Sequence, residues 1–326
     1  MDARDHVREG AGRHREQEDE REPVDRRSAR ERRAEAGRHD ERTRPSRFTG
    51  PSCPPRIRSG SSPAHCGSRP SRIAGAYARR LLELTLLRTG LIDLPRSTFF
   101  PDGGAEIVRI PVWSGLLRTD EGLVLFDTGL HPVHIERPDA TYGPQSSLAI
   151  VMSSEDAIVA RLASVGVRPD EIAVVVNSHL HFDHAGNNGA FPKATFVVQA
   201  DHLAFAKGNP RFPGVYWDIA ELTYLPTTGR ARIAKGVEVV PTPGHAPGHQ
   251  SLAADLPESG RVVLCGDAAF TRENLERGVI RAPDEAAAEE SLAYIRSLVK
   301  DDLDRAFVSH DMAAWSGWRS APRTYR

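Results

Sequence analysis

Three histidines and an aspartate lie within six residues of this 326-residue chain, in the segment His179-Leu-His-Phe-Asp-His184. The segment directly follows Ile172-Ala-Val-Val-Val176, a short β-branched run that predicts a buried strand. His179 and His181 are two positions apart, so their side chains lie on the same side of an extended backbone. Imidazole and carboxylate groups are the ligands that suit zinc and similar divalent ions. The segment therefore predicts a metal site at the end of a strand.

Three further candidate ligands also follow short apolar runs. His245 lies in the loop Thr242-Pro-Gly-His-Ala-Pro-Gly-His249, Asp267 comes just after residues 262–265 (VVLC), and His310 follows residues 306–308 (AFV). Side chains at the ends of neighbouring strands can be held rigidly at one rim of a sheet. We expect these residues to join the histidine segment, and we interpret His249 as a packing and hydrogen-bonding residue of its loop rather than a ligand.

The sequence after about residue 76 is typical of a layered α/β domain. Residues 106–117 and 122–126 predict a β-hairpin, and further short strands are expected at 195–198, 237–240, 262–265 and 306–308. Helices are expected at 201–207, at 284–299 and from an N-cap at Ser154 to about Gly166. Strands first, followed by alternating strands and helices, favour a layered α/β domain with its sheets inside.

The first 75 residues differ in composition from the rest of the chain. They are rich in arginine and, after residue 50, in Pro, Ser and Gly, and they contain few large apolar side chains. Such a segment cannot bury enough apolar surface to offset the entropy lost on ordering, so we predict a disordered tail and linker over 1–75 and a single folded domain over 76–326.

Composition also excludes several classes of partner and location. The net charge is −1, and the residues after the arginine-rich segment are acidic on balance, so a nucleic-acid partner is not expected. Nothing approaches 18 consecutive apolar residues, so no membrane-spanning helix is expected. The chain shows no apolar stretch of signal-peptide type near its N-terminus, and a cytoplasmic location is the expectation.

The pattern HxHxDH, followed by His, Asp and His in loops after strands, resembles the metallo-β-lactamase superfamily. The segments 178–186, 242–251 and 271–274 are especially similar to N-acyl-homoserine lactonases, and Leu125-Phe-Asp-Thr-Gly129 resembles the early Asp-Thr-Gly turn of the superfamily. The resemblance covers roughly residues 78–326. It implies a four-layer αβ/βα sandwich, in which two mixed sheets lie face to face, helices cover the outside and metals bind at one edge.

The resemblance also implies a ligand set for two divalent metal ions. It assigns His179, His181 and His245 to the first ion, Asp183, His184 and His310 to the second, and Asp267 to both. Two dications held close together need an anionic bridge, which a carboxylate can provide. Zinc is the expected metal, with iron, manganese and cobalt as alternatives. Asp183 and Asp267 are the expected catalytic carboxylates. Asp127 either orients a ligand from behind or serves as an ordinary turn residue.

The implied activity is opening of the lactone ring of N-acyl-homoserine lactones, the quorum-quenching reaction, through attack of a hydroxide that bridges the metals. Alternatives on the same scaffold are a thioesterase, another lactone or ester hydrolase, or a phosphodiesterase. A metal-binding module without catalytic activity is a further alternative. The expected partner is a small ester or lactone, and a homodimer is possible.

Two phenylalanines are the expected substrate contacts. Phe182 lies inside the histidine segment, and Phe270 stands three residues after Asp267, where similar lactonases usually carry a tyrosine. Phenylalanine keeps the aromatic ring but has no hydroxyl donor, so one hydrogen bond to the substrate must be missing or supplied elsewhere. Other aromatic residues that could line an acyl pocket or pack in the core are Trp113, Tyr142, Tyr216 and Trp217.

Overall fold

The computed structural model of the chain describes residues 81–143, 146 and 148–326. The predicted tail and linker over 1–75, and the domain boundary that follows them, lie outside these residues. The chain divides into two units, Met1–Ile73 and Ala74–Arg326, and the strands and helices described below belong to the second unit.

Seven strands form the larger sheet, in the spatial order β4-β1-β2-β3-β5-β6-β7. Strands β1, β2, β3 and β4 pair antiparallel, whereas β3, β5, β6 and β7 run parallel, so the sheet is mixed. The strand bounds are β1 Leu82–Pro95, β2 Ile107–Thr119, β3 Gly122–Phe126, β4 Ala149–Val151, β5 Ile172–Val176, β6 Thr195–Gln199 and β7 Thr223–Thr227.

Five strands form the second sheet, in the order β12-β11-β10-β9-β8. Only the β11–β12 pair is parallel. The bounds are β8 Ala231–Ala234, β9 Val237–Pro241, β10 Gln250–Leu256, β11 Gly260–Gly266 and β12 Ala306–Val308. The predicted hairpin and the predicted strands are confirmed, and β4, β7, β8 and β10 are strands that the sequence did not predict.

Six α-helices accompany the sheets within the described residues. They are α1 Val133–Glu136, α2 Ile158–Ser164, α3 Ala200–Ala206, α4 Arg272–Arg277, α5 Glu285–Leu298 and α6 Met312–Gly317. Helices α3 and α5 confirm two of the predicted helices. No described helix combines the length and the apolar character needed to cross a bilayer.

The predicted helix from Ser154 to Gly166 begins later than expected. The Asp156 side chain accepts hydrogen bonds from the Ser153 amide (3.0 Å) and hydroxyl (2.9 Å), which closes a short 3₁₀ turn over Ser154–Asp156. Ala157 then adopts extended backbone angles, so the α-helix starts only at Ile158. Serine 154 is therefore not the N-cap of α2.

Successive side chains along the strands point to opposite faces of each sheet, so each sheet packs on the other sheet with one face and on helices with the other, which gives four layers. On β11, Val262 and Leu264 face the other sheet, whereas Val263 packs in a separate cluster with Leu292 and Ile295 of α5. On the far side of the larger sheet, α2 packs against a third cluster that includes residues of β1, β2, β3, β5 and β6. The predicted α/β sandwich, with two mixed sheets inside and helices outside, is confirmed.

Candidate metal centre

The histidine segment leaves β5 as an irregular turn. The His184 amide donates to the His181 carbonyl oxygen (3.1 Å), and the Ala185 amide donates to the same oxygen (2.9 Å). This tight turn sends the side chains of the segment in two directions. As a result, His179 and His181 fall into one cluster of metal-binding atoms, and Asp183 and His184 fall into another.

The first cluster contains three imidazole nitrogens that face one another. Nε2 of His179 lies 2.8 Å from Nδ1 of His181 and 3.2 Å from Nε2 of His245, and the latter two atoms are 3.0 Å apart. Oδ2 of Asp267 lies 3.6 Å from His179 and 3.3 Å from His245. Tetrahedral ligands about 2.1 Å from a zinc ion are roughly 3.4 Å apart, so the spacing fits one ion.

The second cluster shares the same aspartate. Nε2 of His184 and Nε2 of His310 each lie 3.1 Å from Oδ1 of Asp267 and 3.5 Å from Oδ2 of Asp183. Asp267 thus directs one carboxylate oxygen at each cluster. The arrangement brings together all seven residues that the sequence singled out for two metal ions.

Two buried polar atoms support the fit of this site to cations. Nε2 of His184 and Oδ1 of Asp267 lie 3.1 Å apart, but neither atom completes a hydrogen bond within the described part of the chain. A buried polar atom that lacks a hydrogen bond costs free energy, and a metal ion is a partner that both a ring nitrogen and a carboxylate oxygen accept. The donor set of histidine nitrogens and carboxylate oxygens suits zinc and its neighbours.

Burial keeps the histidines of the first cluster neutral. It lowers the pKa of His179 and His181 well below the usual value, and it lowers the pKa of His245 to about 4. A neutral imidazole is the form that coordinates a metal, so these three rings are ready to bind at neutral pH.

The second cluster has the opposite balance. Burial is the largest single influence and acts to lower the pKa of His184 and of His310. The carboxylates of Asp267 and Asp183 together outweigh it, with Asp127 adding to them at His184, so the pKa of both rings is raised. Burial likewise acts to raise the pKa of Asp267, but the surrounding histidines hold that pKa well below its usual value. The second cluster therefore pairs the anionic carboxylate of Asp267 with the rings of His184 and His310, whose protonated forms that carboxylate favours.

Asp127 lies directly behind both clusters. It accepts hydrogen bonds from the Ser178 amide (2.7 Å), the Ser178 hydroxyl (2.8 Å) and Nδ1 of His184 (2.8 Å). The Ser178 hydroxyl also lies 3.0 Å from Nδ1 of His179. Burial is the largest influence on Asp127 and raises its pKa, despite the nearby His184. Ser178 is a supporting residue that the sequence analysis missed, although it directly precedes the histidine segment.

A glycine allows the two sheets to meet at this point. Gly266 ends β11 with a φ of 53°, and a Cβ atom there would lie 2.7 Å from Cβ of Ser178. Any side chain at Gly266 would push the end of β11 away from the histidine segment. The residue that follows, Asp267, can therefore approach ligands from the other sheet.

Two more histidines support the loops without joining either cluster. Nε2 of His249 accepts a hydrogen bond from the Asp267 amide (3.0 Å), and its Nδ1 lies 3.0 Å from the Thr242 carbonyl oxygen. His202 on α3 accepts from the Leu180 amide (2.9 Å) and contacts the Pro247 carbonyl oxygen (2.8 Å). His202 thus joins the loops that carry His181 and His245. Its distance along the sequence from both loops gave no sign of this role.

A cavity of about 350 Å³ opens above the two clusters. Phe182 and Phe270 both line it, together with apolar residues of β1 and β2. The ring of Phe270 lies 5.4 Å from that of His245 and 6.1 Å from that of His310. Tyr142 also lines the cavity, and its hydroxyl donates to the Arg211 carbonyl oxygen (3.1 Å).

The remaining aromatic candidates lie elsewhere. Trp113 is buried between the sheets and donates to the Val308 carbonyl oxygen (3.2 Å). Trp217 is buried in a cluster with residues of α3, and the Tyr216 hydroxyl forms a hydrogen bond with the Thr141 hydroxyl (2.8 Å). None of these three side chains lines the cavity above the clusters.

The fold and the paired His/Asp clusters define a class of metal-dependent hydrolase scaffolds, and sequence comparison gives that class its name. Residues 107–310 match the model of the metallo-beta-lactamase superfamily, and the chain belongs to that family.

Several relatives of the chain are named as lactonases. An N-acyl homoserine lactonase of Bacillus thuringiensis is 34% identical over 220 residues, which cover 67% of this chain and 88% of that protein. The N-acyl homoserine lactonase AttM of Azorhizobium caulinodans is 30% identical over 241 residues, covering 68% and 90%. A solved N-acyl homoserine lactone hydrolase, with N-hexanoyl-L-homoserine bound at its catalytic metal centre, matches with a TM-score of 0.70 and 32% identity. That match covers 76% of this chain and 99% of the other.

Proposed function

We propose that this protein is a dinuclear metal-dependent lactonase that opens the ring of N-acyl homoserine lactones. The observation that carries the proposal is Asp267, which directs one oxygen at each of two ligand clusters beneath a largely apolar cavity. Relatives at 30–34% identity that are named N-acyl homoserine lactonases support the choice of substrate.

Each cluster would hold one divalent ion. His179, His181 and His245 would bind the first, Asp183, His184 and His310 the second, and Asp267 both. When bound, such ions polarise an ester carbonyl and lower the pKa of a water molecule toward neutrality. Zinc is the metal we propose, because histidine nitrogens outnumber oxygens in the first cluster.

The surrounding side chains would position the reactants. Asp127 fixes the ring of His184 through the hydrogen bond to Nδ1, so that Nε2 points into the site. Asp183 lines the cavity, and its carboxylate would take a proton from the attacking water and return it to the departing alcohol oxygen. Phe182 and Phe270 would pack against the substrate and exclude water from it.

Phe270 sets this chain apart from the usual pattern of similar lactonases. Its ring faces the candidate ligands but offers no hydrogen-bond donor, and the phenol of Tyr142, which also lines the cavity, already donates to the Arg211 carbonyl oxygen. We therefore propose that the chain's own groups give the substrate carbonyl no phenolic hydrogen bond, and that turnover is lower than with such a donor.

The test is a turnover panel on metal-loaded enzyme. We expect hydrolysis of N-acyl homoserine lactones, weaker hydrolysis of simple lactones, and little turnover of S-acyl thioesters or phosphodiesters. Asp267→Ala should lose metal and nearly all turnover, whereas Asp255→Ala, which changes an exposed aspartate on β10, should retain both. Preferred turnover of a thioester or phosphodiester would overturn the proposed substrate, and full activity in a metal-free sample would overturn the proposed mechanism.

A cytoplasmic location and a homodimer stay predictions of the sequence. So does the absence of nucleic-acid and membrane partners.

A further inference from the structure

A second cavity lies beside the one that contains the metal clusters. Its volume is about 460 Å³, and it shares three lining residues with the first cavity, namely Phe99, Ile110 and His310. A residue that lines two neighbouring cavities forms part of the wall between them. His310 is a candidate metal ligand, and of the other two residues Phe99 has the larger side chain.

The position of Phe99 is fixed from both sides. Its carbonyl oxygen accepts hydrogen bonds from the Arg281 amide (2.9 Å) and from the Asn274 side chain (3.2 Å), and its amide donates to the Arg96 carbonyl oxygen (3.0 Å). Its ring is 3% exposed and lies 5.0 Å from the ring of Phe270 and 6.4 Å from that of His310. The ring therefore stands at the edge of the metal clusters and cannot move aside by a simple shift of its backbone.

An apolar strip of the larger sheet passes beneath this ring. Ile92 of β1 pairs with Ile110 of β2, and Leu94 pairs with Val108, so all four side chains lie on one face. Ile92 and Leu94 line the metal cavity, Ile110 lines both cavities, and Val108 lines the second one. Val108 lies two residues beyond Ile110, about 6.8 Å further along the strand. The apolar surface thus continues past Phe99 into the second cavity.

We propose that Phe99 sets the longest acyl chain that the site accepts, by closing the apolar strip between the two cavities. This inference rests on the proposed lactonase function. An acyl group held with its carbonyl end near the metal clusters would run along Ile92, Leu94 and Ile110 and stop against the Phe99 ring. Removing the ring would join the cavities and extend the strip to Val108.

The experiment compares acyl-chain profiles. For the wild type, kcat/KM should rise with each methylene group up to one length and then level off or fall. In Phe99→Ala the rise should continue for two or more further methylene groups, at about fourfold each, which corresponds to about 0.8 kcal/mol per buried CH₂. Phe99→Trp should shift the limit to shorter chains.

The neighbouring residue provides a matched control. Phe100 is equally buried and lines the second cavity, but it does not line the metal cavity, and its ring packs under Arg96 (4.6 Å) and Arg277 (5.0 Å). Phe100→Ala removes the same ring without opening the wall, so its profile should keep the wild-type limit. Metal content should be the same in all variants, and Phe99→Leu replaces Phe99→Ala if the latter does not fold.

A second measurement separates this inference from the proposed function. Saturated straight-chain carboxylic acids of increasing length are titrated calorimetrically into the zinc-loaded wild type and variants. If no lactone is turned over but the length limit for acid binding still moves with residue 99, the proposed function fails and the role of Phe99 stands. If lactones are turned over and the limit is identical in the wild type, Phe99→Ala and Phe99→Trp, the role of Phe99 is refuted.

Discussion

Replacing Asp127 by asparagine tests how the metal ligands are held in place. Asp127 has a φ of 57°, a left-handed conformation that asparagine tolerates better than other residues with a side chain. The backbone should therefore stay unchanged. The carboxylate accepts three hydrogen bonds, and its Oδ2 receives two of them, from Ser178 and from His184. The substitution thus changes hydrogen bonding and charge at one buried position.

The magnitude follows from those bonds. An asparagine has one acceptor oxygen, so its NH₂ group must face a donor on one side whichever way the amide is oriented. Hydrogen bonds to a charged group contribute about 1.5–3 kcal/mol, and loss of a partner that orients a metal ligand weakens metal binding by roughly 10–100-fold. We expect Asp127→Asn to weaken zinc binding by that factor, because His184 loses the group that orients its Nε2.

The assay is zinc competition with a chromophoric chelator, combined with metal content and turnover at saturating zinc. Ser178→Ala is the companion variant, since it removes one hydrogen bond to Oδ2 and the contact with His179 but leaves the charge. It should weaken zinc binding less than Asp127→Asn does. Unchanged zinc affinity in Asp127→Asn would refute the view that Asp127 orients a ligand and would favour an ordinary turn residue.

Three further outcomes are expected. Phe270→Tyr should raise lactone turnover, by up to roughly 10²-fold, with unchanged metal content, because a donor is added to a ring that already faces the ligands; unchanged or lower turnover would show that position 270 does not meet the reacting group. Burial lowers the pKa of His202 to about 4 in the folded protein, against about 6.5 in an unfolded chain. The folded state therefore takes up fewer protons between these values, so the contribution of His202 to stability is complete above pH 6.5 and falls by about 1.4 kcal/mol per pH unit below it. Urea unfolding at pH 7 and pH 5 should show a smaller loss of stability in His202→Gln than in the wild type, and equal losses would contradict the assigned pKa. Removing residues 1–74 should leave melting temperature, zinc content and turnover unchanged, since the composition of that segment cannot support packing on a core; a large fall in any of them would show that the segment is structural.

Local patterns in the sequence were enough to predict most of the candidate site. His179, His181 and His184 lie in one segment after β5, and Asp267 and His310 follow the short apolar strands β11 and β12, which are parallel neighbours in the second sheet. Phe99 gave no comparable signal. Its place beside Phe270 and His310 depends on contacts between residues far apart in the chain, which no periodicity or spacing records.

The same distinction applies to the fold. Strands rich in valine, such as β5 and β9, were predicted, whereas β10, with the sequence QSLAADL, has little β-branched content. It is a strand because β9 and β11 pair with it on both sides. The predicted start of α2 at Ser154 was wrong for a local reason, because Asp156 closes a turn with Ser153 that takes the place of the first helical turn.

The two sheets contribute candidate ligands to the same clusters, so a bound metal ion would cross-link the halves of the sandwich. The segment from His179 to His184 follows β5 of the larger sheet, whereas His245, Asp267 and His310 follow strands of the smaller one. A ligand that binds only the folded state stabilises it by about 2.7 kcal/mol at a free concentration one hundred times its dissociation constant. Chelation should therefore act in two stages. Turnover is lost first, as the ions leave, and the sheets then separate more readily on heating, so that the melting temperature falls with metal content and rises again when zinc is added back.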